Sequence, residues 1–275
     1  LNVERWVLMT SLDDALKAAE QSASNRDSGM ADLFGEVVPS SGNSGEDVYK
    51  EFRGARAWTD KERLGGERDT LGLYITGHPI DEYREEVRRF APNRIASLSP
   101  DGPGRQGTGQ TVVGLIMASR TMNSRRGTMA VLTLDDSSAQ IEVTLFSDAY
   151  SEYRELLIKD TIVIVEGRIS VDERTGNLAM RAASLRSLLA VRQSKVSDLT
   201  IEISAEHADQ EFADFLEQTL AGAGGGNCPV SLIYRQSDNS ARIRLGERWR
   251  VIPSDELLQE LRNVVGSKGV ALQYH

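Results

Sequence analysis

The chain has 275 residues, 40% hydrophobic and 27% charged, the balance of a soluble globular protein with one large or two to three modest domains. Its formal net charge of -9 excludes a generic nucleic-acid binder, so any contact with DNA must come from local arginine clusters. A single cysteine, Cys228, excludes an intrachain disulfide and a metal site built on cysteine spacing, and it points to a reducing, cytoplasmic compartment. No apolar run approaches the roughly 18 residues of a membrane helix, and no signal peptide is visible, so no membrane partner is expected.

The chain opens on a helical pattern at Leu1, which points to a piece of a longer protein. Residues 11–22 read as a helix, with Ser11 as N-cap, Asp13 and Asp14 in the first turn, and Leu12, Ala15, Leu16 and Ala19 at helical spacing. Two Ser/Gly-rich tracts of linker composition follow, and between them lies a short apolar island, Met30-Ala31-Asp32-Leu33-Phe34. The island is either a staple onto a neighbouring helix or a linear peptide that docks its Leu and Phe in a partner's pocket. Residues 1–56 thus form a helix plus flexible linker.

Residues 57–109 read as a helical connector. Trp58, Leu64 and Leu71 are its apolar anchors, and the helix runs into Gly77-His78-Pro79, where Gly77 suits a left-handed cap and Pro79 cannot continue. A second short helix is expected over residues 80–90, then a Pro/Gly-rich stretch over 91–109.

From residue 110 the period becomes two. Strands are expected over 111–119, 129–134, 140–146, 161–171 and 178–188, with a helix over 148–157 between the third and fourth. Three strands, a helix and two strands is the order of a five-stranded OB barrel, placed over 110–192. Residues 120–127 read as a basic loop and 172–177 as a hairpin turn. Beyond residue 195 comes a small α+β domain, 195–275. Its strands lie at 199–204, 229–235, 241–252 and 270–274, its helices at 206–220 and from Ser254 to residue 265, and GAGGG at 222–226 reads as a flexible break. The fold class is therefore multidomain α+β.

No phosphate loop, nucleophile elbow or zinc spacing is present, so no catalytic residue, metal site or cofactor is expected. Asp135-Asp136 sits in a strand-to-strand turn, where aspartates serve local hydrogen bonding rather than a metal. His78 has no evident orienting partner and reads as structural; an enzyme built on it remains a third reading. The barrel offers more. Arg120, Arg125 and Arg126 lie in or beside the first framing loop, and Arg168, Arg174 and Arg181 around the second, which suits a single-stranded phosphate backbone. Strands two and three are poor in aromatics, and Phe146, closing the third, is a candidate core residue. Binding is then expected to be weak, salt-sensitive and sequence-tolerant.

ERDTLGLYITGHPIDEY (67–83), GTMAVLTLDDSSAQIEVTLFSDAY (127–150) and RIRLGERWRVIPSDELLQELRNVVG (242–266), in this order with the Leu-Phe island upstream, resemble the C-terminal part of the bacterial replicative DNA polymerase III alpha subunit of DnaE type, gammaproteobacterial in character. The resemblance spans the whole chain. It implies a parent that is a DNA-directed DNA polymerase whose catalytic aspartates lie upstream, and a segment without a catalytic centre of its own. It implies that Met30 to Phe34 is the peptide that binds the sliding clamp (beta subunit), although Met30 stands where that motif has glutamine. It further implies that the barrel meets single-stranded template and that residues 195–275 bind the tau subunit of the clamp loader. The competing reading is a protein-interaction scaffold whose barrel touches no DNA.

Overall fold

The structure, a computed structural model, describes residues 3–27, 49–100, 109–125, 127–173, 175–236 and 239–275. The chain divides into two compact units, Leu1–Pro79 and Ile80–His275.

The first unit contains α1 (Arg5–Thr10), α2 (Leu12–Asp27) and α3 (Asp60–Leu71). Ser11 directly precedes α2, its carbonyl accepting from the Ala15 amide at 3.0 Å. It also ends α1, its hydroxyl donating back to the Leu8 carbonyl at 3.0 Å, so one residue serves two abutting helices. Helix α3 begins at a capping box: the Thr59 hydroxyl accepts from the Glu62 amide, and Glu62 accepts from the Thr59 amide. The helix stops at Gly72, whose φ of 78° is left-handed, and not at Gly77. The apolar spacing runs out one turn before Gly-His-Pro, so Leu71 is exposed while Leu64 is buried.

At the centre of this unit the Glu67 carboxylate is buried. It accepts from the Ile75 and Thr76 amides at 2.8 and 2.9 Å, the Thr76 hydroxyl at 2.7 Å and Arg5 at 2.6 Å. The LYIT turn after α3 is therefore folded around one acid. His78 packs edge-on against Tyr74, ring centroids 5.3 Å apart.

A 3-10 turn, Pro79–Tyr83, holds the boundary at its first residue, and α4 (Arg84–Phe90) follows in the second unit. Five strands then close a barrel: β1 (Gln110–Ser124), β2 (Gly127–Asp135), β3 (Gln140–Leu145), β4 (Ile162–Val171) and β5 (Leu178–Ser187), in the order β1-β2-β3-β5-β4. Between β3 and β4 stands α5 (Ser147–Tyr153). This is the expected OB barrel. Alternation builds it: Ala130, Leu132 and Leu134 of β2 and Ile141, Val143 and Leu145 of β3 all point inward. Each of the Leu, Ile and Val side chains contributes about 1.5–3 kcal/mol by leaving water. Tyr150 and Tyr153 of α5 pack against this core.

Asp136 pins the β2–β3 turn to the segment before the barrel. Its carboxylate accepts from the Ser138 and Ala139 amides, the Ser138 hydroxyl and the Ile95 amide. Burial works against its charge, but the Ser138 and Ile95 bonds outweigh it and hold the carboxyl below its usual range. Arg120 to Ser124, expected in a loop, instead extend β1. The hairpin continues beyond the core, where no buried face remains to mark the strand in the sequence.

Helix α6 (Leu188–Lys195) leads into the last domain: β6 (Val196–Ser204), α7 (Gln210–Gly222), β7 (Gly224–Cys228), β8 (Val230–Gln236), β9 (Asn239–Arg244), α8 (Asp255–Val265) and β10 (Val270–Tyr274). The sheet order is β10-β6-β8-β9, with β6 and β8 parallel. Its core joins Leu199, Ile201 and Val230 to Leu216 and Leu220 of α7 and Leu257, Leu258 and Leu261 of α8. Ser254 caps α8 as expected, accepting from the Leu257 amide at 3.3 Å. The glycine run expected as a flexible break instead carries β7, which bridges to Val251. A Cβ on Gly226 would lie 2.0 Å from the Val251 carbonyl oxygen, so glycine here permits the close approach.

Candidate nucleic-acid interface

Of the six arginines expected to frame the barrel's groove, Arg126 and Arg174 lie outside the described residues, as do Met30, Ala31, Asp32, Leu33 and Phe34. The other four are exposed. Arg125 stands in the two-residue turn between β1 and β2, where Ser124 pairs with Gly127. Gly127, with φ 110°, supplies a backbone angle that other residues rarely adopt.

The remaining three share one row around the barrel. Arg120 pairs with Val131, Val131 with Thr144, Thr144 with Arg181, and Arg181 with Arg168. Partners opposite one another in a sheet present their side chains on the same face. Inward neighbours such as Leu132, Val143, Met180 and Ala182 fix this row on the outside. The row is basic or polar on β1, β3, β5 and β4, with Arg120, Thr144, Arg181 and Arg168, and is interrupted on β2 by the buried Val131.

These arginines are not equivalent. Arg120 donates to Glu142 at 2.8 Å, so its charge is already met by an acid one row away. That pair is solvent-exposed and contributes at most about 1 kcal/mol. Arg168 and Arg181 face each other directly across β4 and β5, and among the described residues neither is paired with a carboxylate. Like charges in opposed positions destabilise a sheet by roughly 0.2–1 kcal/mol. An anion placed between them reverses the sign of that term.

Phe146 corrects the expectation of a core residue. It is 42% exposed, and the Arg181 guanidinium lies over its ring, 4.5 Å from the centroid. The signal was present in the alternation of β3: Ile141, Val143 and Leu145 point inward, so residue 146 continues the outward set of Glu142 and Thr144. Among the described residues no group of three or more His, Cys, Asp or Glu side chains could hold a metal ion. No helix among them is long and apolar enough to cross a membrane.

Residues 215–266 match the family model described as DNA polymerase III subunit alpha, C-terminal domain. Residues 110–188 match the OB-fold nucleic acid binding domain. Over 275 residues, the whole chain, the sequence is 42% identical to the DNA polymerase III subunit alpha of Pseudomonas aeruginosa and covers 23% of it. The chain is homologous to the C-terminal region of the DNA polymerase III alpha subunit. The alpha subunit of Escherichia coli K12 is 38% identical over 276 residues, again with 23% of its length covered. The chain thus spans about a quarter of the curated alpha subunits it matches. Among solved structures it is similar to a domain of replication protein A from Methanococcus maripaludis, 17% identical, TM-score 0.28, covering 35% of this chain and 93% of that one. The OB-fold match falls on the barrel, and Arg120, Arg181 and Arg168 lie on that barrel's outer face.

Proposed function

We propose that this segment is a non-catalytic tethering region of a replicative DNA-directed DNA polymerase, and that its barrel guides the single-stranded template. The observation that carries the second part is the opposed pair Arg168 and Arg181, two charges with no carboxylate partner among the described residues, on the outer face of an OB barrel in a chain of net charge -9. Phosphate contacts of this kind are sequence-tolerant and salt-dependent. Fluorescence anisotropy with a labelled single-stranded oligonucleotide tests it. Binding at low salt that weakens at high salt, and that falls when Arg125 and Arg168 are both replaced by Ala, supports template contact.

Tethering to protein partners completes the reading. Leu33 and Phe34 dock in the sliding clamp, and the domain at residues 195–275 docks tau. The C-terminal sheet lends support to the latter: all six residues of its edge strand β9 are exposed, which leaves a surface for a protein partner. The scaffold reading, with no DNA on the barrel, draws support from Glu142, which already holds Arg120. Absence of low-salt oligonucleotide binding decides for the scaffold.

A further inference from the structure

We infer that Arg181, laid on Phe146, is a stacking plate for one unpaired base, and that Arg168 beside it takes the adjoining phosphate. This rests on the single-strand reading above and gives it a specific seat on β3, β5 and β4.

Three features converge. The Arg181 guanidinium carbon sits over the Phe146 ring, 4.5 Å from its centroid, so the ring holds the cationic head in place on the barrel's outer face. An arginine held in this way presents a flat, cationic surface of the kind on which splayed bases stack. Phe146 is half exposed rather than buried, so the ring's role here is not to fill the core.

Arg168 is the direct cross-strand partner of Arg181. Their mutual repulsion is relieved by a bound anion, and a nucleotide supplies a base and a phosphate together. Thr144, opposite Arg181 on β3, adds a hydroxyl to the same row. Arg120, two strands further round, is held by Glu142 and lies outside the seat.

The geometry separates two contributions that one titration series can tell apart. A stack is insensitive to salt, whereas each neutralised phosphate adds about 0.7 to the slope of log K against log salt for a single strand. Binding of the whole chain to a labelled single-stranded oligonucleotide is measured by anisotropy over a salt series. Phe146→Ala is expected to weaken binding by about 5- to 100-fold with the slope unchanged. Arg181→Lys keeps the charge and removes the planar plate, and is expected to do the same. Arg168→Ala is expected to lower the slope by about 0.7. On an abasic strand of the same length the parent chain and Phe146→Ala are expected to bind equally.

Unchanged affinity in both Phe146→Ala and Arg181→Lys overturns the stacking seat while leaving template contact standing. A slope that falls with Phe146→Ala as it does with Arg168→Ala overturns it too. No binding by the parent chain at low salt overturns the template reading, and the seat with it.

Discussion

Arg192 grips Glu86 with both prongs of its guanidinium: Nε meets Oε1 and Nη2 meets Oε2, each at 2.7 Å. Its third nitrogen, Nη1, reaches Asp255 at 2.6 Å. Arg192 belongs to α6, Glu86 to α4 and Asp255 to the first turn of α8, so one side chain ties the barrel's flanking helices to the C-terminal domain. Tyr274 of β10 donates to the same Glu86, and Tyr83 donates to Asp255 at 2.9 Å. Burial works against the Arg192 charge, but the bonds and charges of Glu86 and Asp255 outweigh it and raise the pKa further above the ordinary arginine value.

Removing one partner of this buried pair leaves the other uncompensated. Arg192→Ala is expected to destabilise the unit Ile80–His275 by about 3–5 kcal/mol, read from the denaturant midpoint. The double change Arg192→Met with Glu86→Gln is expected to recover much of the loss, because the buried Glu86 charge is removed and the only carboxylate of the cluster left without its arginine is the half-exposed Asp255. Equal losses in the single and double variants would show that the pair stabilises by more than mutual neutralisation.

Glu67 makes the first unit sensitive to acid. The Thr76 and Ile75 amides, with the Thr76 hydroxyl and Arg5, lower its carboxyl from the usual 4.5 to about 2. A carboxylate with a depressed folded pKa adds stability above the unfolded value and loses it as pH falls through the folded one. The thermal midpoint of this unit is therefore expected to drop between pH 4.5 and about 2, and Glu67→Gln to flatten that dependence. A parent midpoint that is flat across this window contradicts the assignment.

Gly167 sets the spacing of β4 and β5 beside the arginine pair. It lies at a register shift, and a Cβ there would sit 2.2 Å from the Arg181 carbonyl oxygen. The obstructing atom is backbone, so relief requires the strands to move. Gly167→Ala is expected to cost about 1–3 kcal/mol in stability and to weaken oligonucleotide binding by disturbing the Arg168–Arg181 alignment. Chemical denaturation and anisotropy on the same variant check both.

For the Leu-Phe island, Leu33→Ala with Phe34→Ala is expected to abolish capture by purified sliding clamp. Met30→Gln, which restores the glutamine of the family motif, is expected to tighten it. Undiminished capture by the double alanine variant removes the island from the clamp contact.

Much of this fold was legible because burial imposes a period. Ile141, Val143 and Leu145 announced an inward strand face, and Ser254 announced a helix start through its hydroxyl. Failures occurred where side chains carry no such imprint. Residues 120–124 continue β1 past the core, so polarity on both faces concealed a strand. Glycines 224–226 have no side chains to pattern, and for Gly226 only the approach of the Val251 carbonyl reveals why it is there. Ser11 marks the start of α2 in the sequence, but α1, which ends on the same residue, is too short to show a helical period of its own. In the candidate site, the arginines could be picked out by type and position. Their pairing could not: that Glu142 meets Arg120 while Arg168 faces Arg181 depends on strand register, which only the closed barrel defines.

The most direct test compares two single changes of the same kind, Arg120→Ala and Arg168→Ala, by anisotropy on one single-stranded oligonucleotide at low salt. Glu142 already meets the charge of Arg120, whereas Arg168 has no carboxylate partner among the described residues. Arg168→Ala is expected to weaken binding about threefold or more, the scale of one phosphate contact, with Arg120→Ala near the parent. Loss with Arg120→Ala and parent-like binding with Arg168→Ala would contradict the account.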